Sequence, residues 1–256
     1  MSPLAGHRTE GGRRARLAPT GATAPQPLVS VVTVVYNCAS QLPATIESVR
    51  SLRRDDIEHI VVDGGSSDGT LELVESFDAI VDYWISERDA GIYDAMNKGI
   101  AAARGRFVYH LNAGDTLLHV PDLAGESVAD DVICVACAVR TSDGRVHTPS
   151  VGWALRFHNT LHHQGCFYRR GPALRYDVRY QVFADFDLNQ RLVNGGGRIL
   201  IHPDVVALHD QGGISHTTRR FGEVYDIVRK NSGLPWVLIC FAYFKVRGLF
   251  HRVSLR

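Results

Sequence analysis

The first half of the chain alternates apolar runs with segments of helical spacing. Three largely apolar runs predict strands buried on both faces of a sheet: Leu28–Val35, Ile57–Val62 and Arg106–Leu111. Between them, apolar spacing predicts helices over Leu42–Leu52, from an Asp68 N-cap through Phe77, and over Ala90–Arg104. This alternation predicts an α/β fold in which a mostly parallel central sheet is flanked by helices, as in Rossmann-like nucleotide-binding domains.

The second half of the chain has a more irregular pattern. Strands are predicted over Val132–Arg140, Arg145–Thr148 and Arg198–Ile201, and a helix over Asp187–Val193. Aromatic, histidine and arginine side chains are frequent from Trp153 to Arg179. We therefore predict one domain over residues 28–232, with a nucleotide-binding first half (28–120) and a mixed second half (121–232).

The two ends of the chain differ from this domain. Residues 1–27 are rich in Ala, Gly, Pro and Arg and predict a disordered leader. Residues 233–256 form an apolar-basic tail, in which the run Leu234–Phe244 is too short to span a bilayer and is followed by basic residues. Two interpretations stay open for the tail: a segment lying in the membrane interface, or a helix buried on the domain.

Composition narrows the classes of function. Apolar residues make up 45% and charged residues 21% of the chain, which allows a core and excludes global disorder. The net charge of +1 gives no reason to expect a nucleic-acid partner. The five cysteines are scattered and do not form the pattern of a disulfide framework, so we expect a reducing compartment, the cytoplasm.

Polar side chains follow each of the three predicted strands of the first half. They are Tyr36, then Asp63 with Gly65, then Asn112 with Asp115. Because the carboxyl ends of parallel strands meet at one edge of a sheet, we expect these residues to line one crevice. The glycine-serine turn after Asp63 matches neither a dinucleotide fingerprint nor a P-loop. We predict that it brings Asp63 to a ligand group that donates hydrogen bonds, such as a nucleobase N–H.

Four segments, taken in order and spacing, resemble the nucleotide-sugar half of family 2 glycosyltransferases: SVVTVVYN, IEHIVVDGGSSDGT, ISERDAGIYDAMNKGIAAARG and LNAGDTLL. The resemblance is strong from Ser30 to Leu118 and continues more weakly through LHHQGCFYRR, YQVFADFDLNQRL and HDQGGIS. It implies the GT-A fold and an inverting reaction. It also implies that residues 28–120 bind the nucleotide sugar and residues 121–232 the acceptor. The subgroup that the chain resembles acts in bacterial surface polysaccharide and glycolipid synthesis.

The resemblance implies roles for residues of the donor half. Tyr36 would stack on the base and Asp63 would accept from its N–H, with Gly65 in the adjoining turn. Asp89 and Asn97 fall where the family contacts the nucleoside and the diphosphate. For Asn97, an amide on the helix surface is the alternative.

The resemblance also implies a divalent cation, Mg²⁺ or Mn²⁺. The segment from Asn112 to Asp115 stands where the family carries an Asp-x-Asp metal motif, with Asn112 in place of the first carboxylate. A cation there neutralises the charge of the departing nucleoside diphosphate. Asp115 and His209 are the expected ligands and Asn112 a substrate contact, with a structural histidine as the alternative for His209.

Inversion needs a carboxylate that removes the proton of the acceptor hydroxyl as its oxygen attacks the anomeric carbon. The segment FADFDL matches the family's acidic pair, and Asp185 stands at the usual position of the base. Asp187 is the second candidate, with helix capping as its alternative role. His163 is expected to meet the acceptor or the sugar.

These features predict an inverting glycosyltransferase that moves a sugar from a nucleoside-diphosphate sugar to a hydroxyl of a glycolipid or lipid-linked saccharide. The tail would hold it at the inner face of the cell membrane. A sugar-nucleotidyltransferase is one alternative, although VVTVVYNCAS lacks the basic residues that a triphosphate loop needs. A non-catalytic nucleotide-sugar or saccharide-binding module is another, with Asn112 as its sign of lost activity.

Overall fold

A computed structural model describes residues 8–16, 25–125, 128–210 and 221–253. Within them, ten strands form one sheet in the order β1-β4-β3-β2-β5-β9-β7-β10-β6, and β8 pairs with β7. The strands are β1 (Thr9–Gly11), β2 (Val29–Val35), β3 (Ile57–Asp63), β4 (Tyr83–Ser86), β5 (Phe107–Asn112), β6 (Thr116–Leu117), β7 (Val132–Thr141), β8 (Val146–His147), β9 (Cys166–Arg169) and β10 (Arg198–His209). The α-helices are α1 (Arg13–Arg16), α2 (Leu42–Arg50), α3 (Thr70–Ser76), α4 (Ile92–Ala102), α5 (Ala184–Asn194), α6 (Phe221–Ser232) and α7 (Leu234–Val253).

The first half of the sheet is parallel. Strands β4, β3, β2 and β5 pair in parallel, and every residue of β2 is buried because both faces of the sheet are covered. Strand β9 runs antiparallel between β5 and β7, and β10 pairs in parallel with β7. The predicted α/β fold with a mostly parallel, helix-flanked sheet and a mixed second half is therefore confirmed.

The disorder predicted for residues 1–27 does not extend to residues 8–16. Strand β1 pairs antiparallel with β4, which would otherwise leave the edge of the sheet unpaired. Arg13 forms an ion pair of 2.6 Å with Asp82, and the Arg14 guanidinium lies 4.4 Å from the ring centre of Tyr83. Residues 1–7 and 17–24 lie outside the described residues.

Both predicted helix caps are displaced from their helices' N-cap positions. The N-cap of α3 is Gly69, with a φ of 92°, while Asp68 accepts a hydrogen bond of 3.1 Å from the Thr70 backbone N–H. Helix α5 begins at Ala184, so Asp185 and Asp187 both lie in its first turn. The turn before each helix determines the residue at which the helix begins. The spacing of apolar residues does not show where that turn ends.

The tail residues 234–253 form helix α7. Trp236, Val237, Tyr243 and Phe244 pack against the domain core around buried Cys240. The structure therefore supports helix packing for one side of the tail. Among the described residues, no helix is both long enough and apolar enough to cross a membrane.

Candidate active site

The carboxyl end of β2 presents an aromatic ring to solvent. Tyr36 is 60% exposed, directly after a fully buried strand. Asn37 follows with a positive φ of 49°, and its side-chain oxygen accepts from the Ser67 backbone N–H at 2.9 Å. The Asn37 backbone N–H in turn donates to the Ser66 hydroxyl at 2.8 Å. The glycine-serine turn is thereby fixed beside an open aromatic face.

Asp63, at the end of β3, is fully buried rather than open to a ligand. Its carboxylate accepts from the Ser66 backbone N–H at 3.2 to 3.3 Å and from the Ser66 hydroxyl. The Ser86 hydroxyl, at the end of β4, donates to its other oxygen at 2.6 Å. These partners make Asp63 the group that holds the turn to the neighbouring strand.

The carboxylate of Asp89 lies over Gly64, in the space that any larger residue would fill. A Cβ at Gly64 would lie 2.3 Å from Asp89 Oδ2, and a Cβ at Gly65 would lie 3.3 Å from the Arg88 backbone. Asp89 Oδ1 accepts from the Gly91 backbone N–H at 2.9 Å. Partial burial raises the pKa of Asp89. Gly64 and Gly65 are therefore needed because the segment with Arg88 and Asp89 approaches them closely.

The side chain of Asn97 is engaged elsewhere. Its amide N–H donates to the Tyr176 carbonyl at 2.9 Å, and its oxygen accepts from the Tyr176 backbone N–H at the same distance. Asn97 therefore joins α4 to the second half of the chain. This contact uses one N–H and one oxygen lone pair of the Asn97 amide and gives the side chain a structural role; the substrate contact stays a prediction.

Asp115, after β5, is the centre of a buried polar cluster. Its Oδ1 lies 3.0 Å from His209 Nδ1 and accepts from the Asp210 backbone N–H at 2.7 Å. Its Oδ2 contacts the Gln164 side-chain amide. Burial raises the pKa of Asp115, and the contact with His209 opposes that rise. The two expected metal ligands are thus in contact with each other.

The side chains around Asp115 offer oxygen atoms to a divalent cation. In the described ranges no three His, Cys, Asp or Glu side chains are grouped so as to hold a metal ion. Three residues before Asp115, however, the side-chain oxygen of Asn112 is buried and has no hydrogen-bond partner among the described residues. One carboxylate and one free amide oxygen suit a cation such as Mg²⁺, which commonly takes its remaining ligands from substrate phosphates and water.

The ring of His163 lies between Asn112, at the end of β5, and Asp185. The ring of His163 places Nε2 3.2 Å from the Asn112 amide nitrogen and Nδ1 4.0 Å from Asp185 Oδ2. The Asn159 amide donates to Asp185 Oδ2 at 2.8 Å, and the Phe186 backbone N–H donates to Oδ1. Burial raises the pKa of Asp185 to about 6 and lowers that of His163 to about 3. A neutral imidazole therefore stands next to a carboxyl group that titrates near neutrality.

Asp187 points to a different environment. It is fully buried and accepts from Arg191 at 2.7 Å and from Lys230 and Asn231 at 2.9 Å. Burial alone would raise the pKa of Asp187, but these three donors outweigh it and lower the pKa. Asp187 ties α5 to α6, and its oxygens are already engaged in structural bonds.

Two contacts of Asp185 have no counterpart in the sequence-based prediction. Asn159 lies in an irregular segment, where no periodicity singles it out. The Tyr93 hydroxyl lies 3.5 Å from Asp185 Oδ1 and donates to the Val182 carbonyl at 2.6 Å. Tyr93 belongs to the segment that resembles a nucleotide-binding region. Its position in the sequence therefore gave no sign that it contacts Asp185.

The chain matches the family model "Glycosyl transferase family 2" over residues 30–186. A PGL/p-HBAD biosynthesis glycosyltransferase of Mycobacterium bovis is 32% identical over 205 residues, covering 75% of this chain and 80% of the relative. An uncharacterized glycosyltransferase of Mycobacterium tuberculosis is 43% identical over 103 residues, which is 40% of this chain and 39% of the relative.

Solved structures share the fold at low sequence identity. TarS of S. aureus (residues 1–349) superposes with a TM-score of 0.60 at 16% identity, over 79% of this chain and 64% of that one. The same protein in complex with UDP-GlcNAc gives a TM-score of 0.59. A mannosyltransferase of Pyrobaculum calidifontis in complex with GDP-Man and Mn²⁺ gives 0.55 at 18% identity, over 81% of this chain and 62% of that one. The chain therefore spans less than two thirds of the length of TarS and of the mannosyltransferase in these structures.

Proposed function

The chain belongs to glycosyl transferase family 2, and from that premise we propose an inverting enzyme that moves a sugar from a nucleoside-diphosphate sugar to a hydroxyl of a glycolipid or lipid-linked saccharide. Family membership favours sugar transfer over the nucleotidyltransferase and the non-catalytic module. The Mycobacterium bovis relative is named a PGL/p-HBAD biosynthesis glycosyltransferase. That name supports a glycolipid as the acceptor. We keep the division into a donor half (28–120) and an acceptor half (121–232) as part of this proposal.

The observation that carries the proposal is the position of Asp185 beside the end of β5. A buried carboxylate with a pKa of about 6 is mostly ionised at neutral pH and is still basic enough to accept a proton. In the proposed step, the acceptor hydroxyl gives its proton to Asp185 while its oxygen forms a bond to the anomeric carbon. The bond from that carbon to the diphosphate oxygen breaks, and the nucleoside diphosphate leaves from the opposite face.

We propose that Tyr36 and Asp89 bind the base. The exposed ring of Tyr36 offers a stacking surface. Among the described residues no hydrogen bond reaches Asp89 Oδ2, whereas both oxygens of Asp63 are occupied by serines. A carboxylate oxygen accepts from a ring N–H, which uracil and guanine carry and cytosine and adenine do not. Asp63 then acts indirectly, by holding the turn on which Gly64 and Gly65 lie.

We propose that a divalent cation, Mg²⁺ or Mn²⁺, is held by Asp115 and the free oxygen of Asn112, with His209 orienting Asp115. When bound, such a cation neutralises charge on the leaving diphosphate. The complex of the neighbouring mannosyltransferase with Mn²⁺ supports this assignment. His163 keeps Asn112 and Asp185 in fixed positions relative to each other.

Slow release of nucleoside diphosphate from a sugar nucleotide is the first test, because water can take the place of the acceptor. We expect release from a panel that includes UDP-GlcNAc and GDP-Man, loss of the release with EDTA, and recovery with Mn²⁺. Asp115→Ala should lower the rate by about 100-fold, since a cation contributes several kcal/mol to stabilising the leaving charge. Release by the wild type that is indifferent to EDTA would show that the metal assignment is wrong.

The assignment of Asp89 predicts a specific weakening of nucleotide binding. Asp89→Asn and Gly64→Ala should each weaken binding of UDP or GDP, whichever the wild type binds, by about tenfold, because each removes or displaces a charged hydrogen-bond acceptor. Isothermal titration calorimetry measures the change. Gly171→Ala is the matched control, since a Cβ there meets nothing within 4 Å.

The alternative carboxylate gives the contradicting outcome. If Asp89→Asn binds the nucleotide as the wild type does, while a folded Asp63→Asn variant does not, the sequence-based assignment to Asp63 stands and ours fails. Wild-type preference for CDP over UDP would also contradict a carboxylate that accepts from a ring N–H.

A further inference from the structure

The outward side of helix α7 is apolar and exposed. Leu234, Leu238 and Phe241 follow one another at helical spacing and are 65%, 73% and 48% exposed. Ile239 and Val246 flank them at 41% and 51%. We call these five residues the α7 face. A contiguous apolar patch of this kind on a folded domain marks an interaction site.

The opposite side of α7 packs on the segment that leads to Asp185. Trp236 lies 6.3 Å from the ring of Phe157 and 5.4 Å from the Arg156 guanidinium, measured to ring centres. Two residues after Phe157, the Asn159 amide donates to Asp185. Helix α7 is therefore attached to the part of the chain that holds the proposed base.

The sequence around the apolar run of α7 is mostly basic. From Ile227 to Arg256 it contains no Asp or Glu, and the nearest acidic residue before this range is Asp226 of α6. Arg229 and Lys230 of α6 precede the apolar run, and Lys245, Arg247, His251, Arg252 and Arg256 follow it. The Lys245 ammonium lies 4.6 Å from the ring centre of Phe241, so at least one positive charge borders the apolar side chains directly. Apolar residues bordered by positive charge suit an anionic lipid surface.

An exposed tryptophan adjoins α7 on the side of Trp236. Trp153 is 67% exposed, and its ring lies 6.5 Å from that of Trp236. Tryptophan is enriched at the boundary between a membrane and water because its ring is apolar and its N–H is polar. An extended surface of this composition is unlike a site for a polar soluble partner.

We propose that the α7 face binds the surface of an anionic phospholipid bilayer, with α7 lying in the interface rather than crossing the membrane. The binding itself is independent of the reaction. Its consequence for the acceptor rests on the proposed function: a lipid-linked hydroxyl would meet the acceptor half beside residues 153–159, close to Asp185. The inner leaflet of a cell membrane provides such a surface.

Vesicle sedimentation of the full chain tests this. We expect the protein to sediment with phosphatidylcholine vesicles that contain phosphatidylglycerol, and to be released by high salt, which screens the charges. Leu238→Glu should weaken the partition by about tenfold or more, because it places a charge where the exposed leucine would enter the lipid. Ile80→Glu is the matched control: Ile80 lies between α3 and β4, is 37% exposed, and its variant should sediment like the wild type.

Three outcomes would overturn the proposal. The first is a wild type that stays in the supernatant with the phosphatidylglycerol-containing vesicles. The second is a Leu238→Glu variant that sediments unchanged. The third is a wild-type dimer in analytical ultracentrifugation that Leu238→Glu converts to a monomer without any vesicle binding. The last would assign the face to a second copy of the chain. Nucleoside-diphosphate release, measured on the same samples, separates this proposal from the reaction: vesicle binding without release would contradict the proposed function alone.

Discussion

Asp185→Asn is expected to abolish turnover while the chain stays folded. Asparagine has nearly the same shape as aspartate but cannot accept the acceptor's proton, and a general base contributes about 10²- to 10⁴-fold to a rate. The measurement is release of nucleoside diphosphate from the preferred sugar nucleotide, with water as acceptor. The affinity for the free nucleoside diphosphate, measured by calorimetry, is the control. It should be unchanged because Asp185 is not among the residues that we propose to bind the nucleotide.

The pH dependence gives this prediction a second readout. Only the ionised carboxylate is a base, so kcat/KM of the wild type should rise with pH through about 6 and level off above it. Burial raises the pKa of Asp185 in the folded state from an ordinary 3.8 to about 6. Protonated Asp185 therefore adds to the free energy of unfolding fully below pH about 4, and this contribution is lost as the pH rises through about 6. Asp185→Asn should therefore gain stability relative to the wild type above pH 6. Wild-type turnover with a flat profile between pH 5 and 8 would contradict the role of Asp185.

The strands of the parallel half could be predicted from the sequence because they are buried on both faces. Most residues of β2, β3 and β5 are apolar, and these apolar runs give a signal in the sequence even though Glu58, His59 and His110 interrupt them. Strands β1, β4 and β9 have three or four residues each and gave no such signal. Their position depends on pairing with strands distant in sequence, which a local pattern does not encode.

The site was predictable to the level of the strand ends and no further. The rule that parallel strands end at one edge led to Tyr36, Asp63 and Asn112 together. Which carboxylate keeps a free oxygen depends on Ser86, 23 residues from Asp63, and on the missing side chain of Gly64. The sequence also could not tell Asp185 from Asp187, the acidic pair of α5. Only Asp187 is bonded to Lys230 and Asn231 of α6, and this contact is visible only in the structure.

Asp187→Ala is expected to destabilise the fold rather than the chemistry. It removes a fully buried carboxylate and leaves Arg191 and Lys230 without their shared partner. Breaking a buried ion pair costs about 3 kcal/mol at the lower end of its range, and the lower end applies because both cations are about one-third exposed. Urea denaturation measures the loss as a lower midpoint.

The exposed ion pair of Asp131 and Arg198 is the matched control for this variant. Its side chains are 60% and 45% exposed, so solvent screens the pair and Asp131→Ala should leave the urea midpoint close to that of the wild type. At a temperature where Asp187→Ala remains folded, its nucleoside-diphosphate release per folded molecule should be close to that of the wild type. Loss of turnover identifies a general base, and loss of stability identifies a structural carboxylate. A stable but inactive Asp187→Ala, together with an active Asp185→Asn, would therefore show that Asp187 is the base and Asp185 is not.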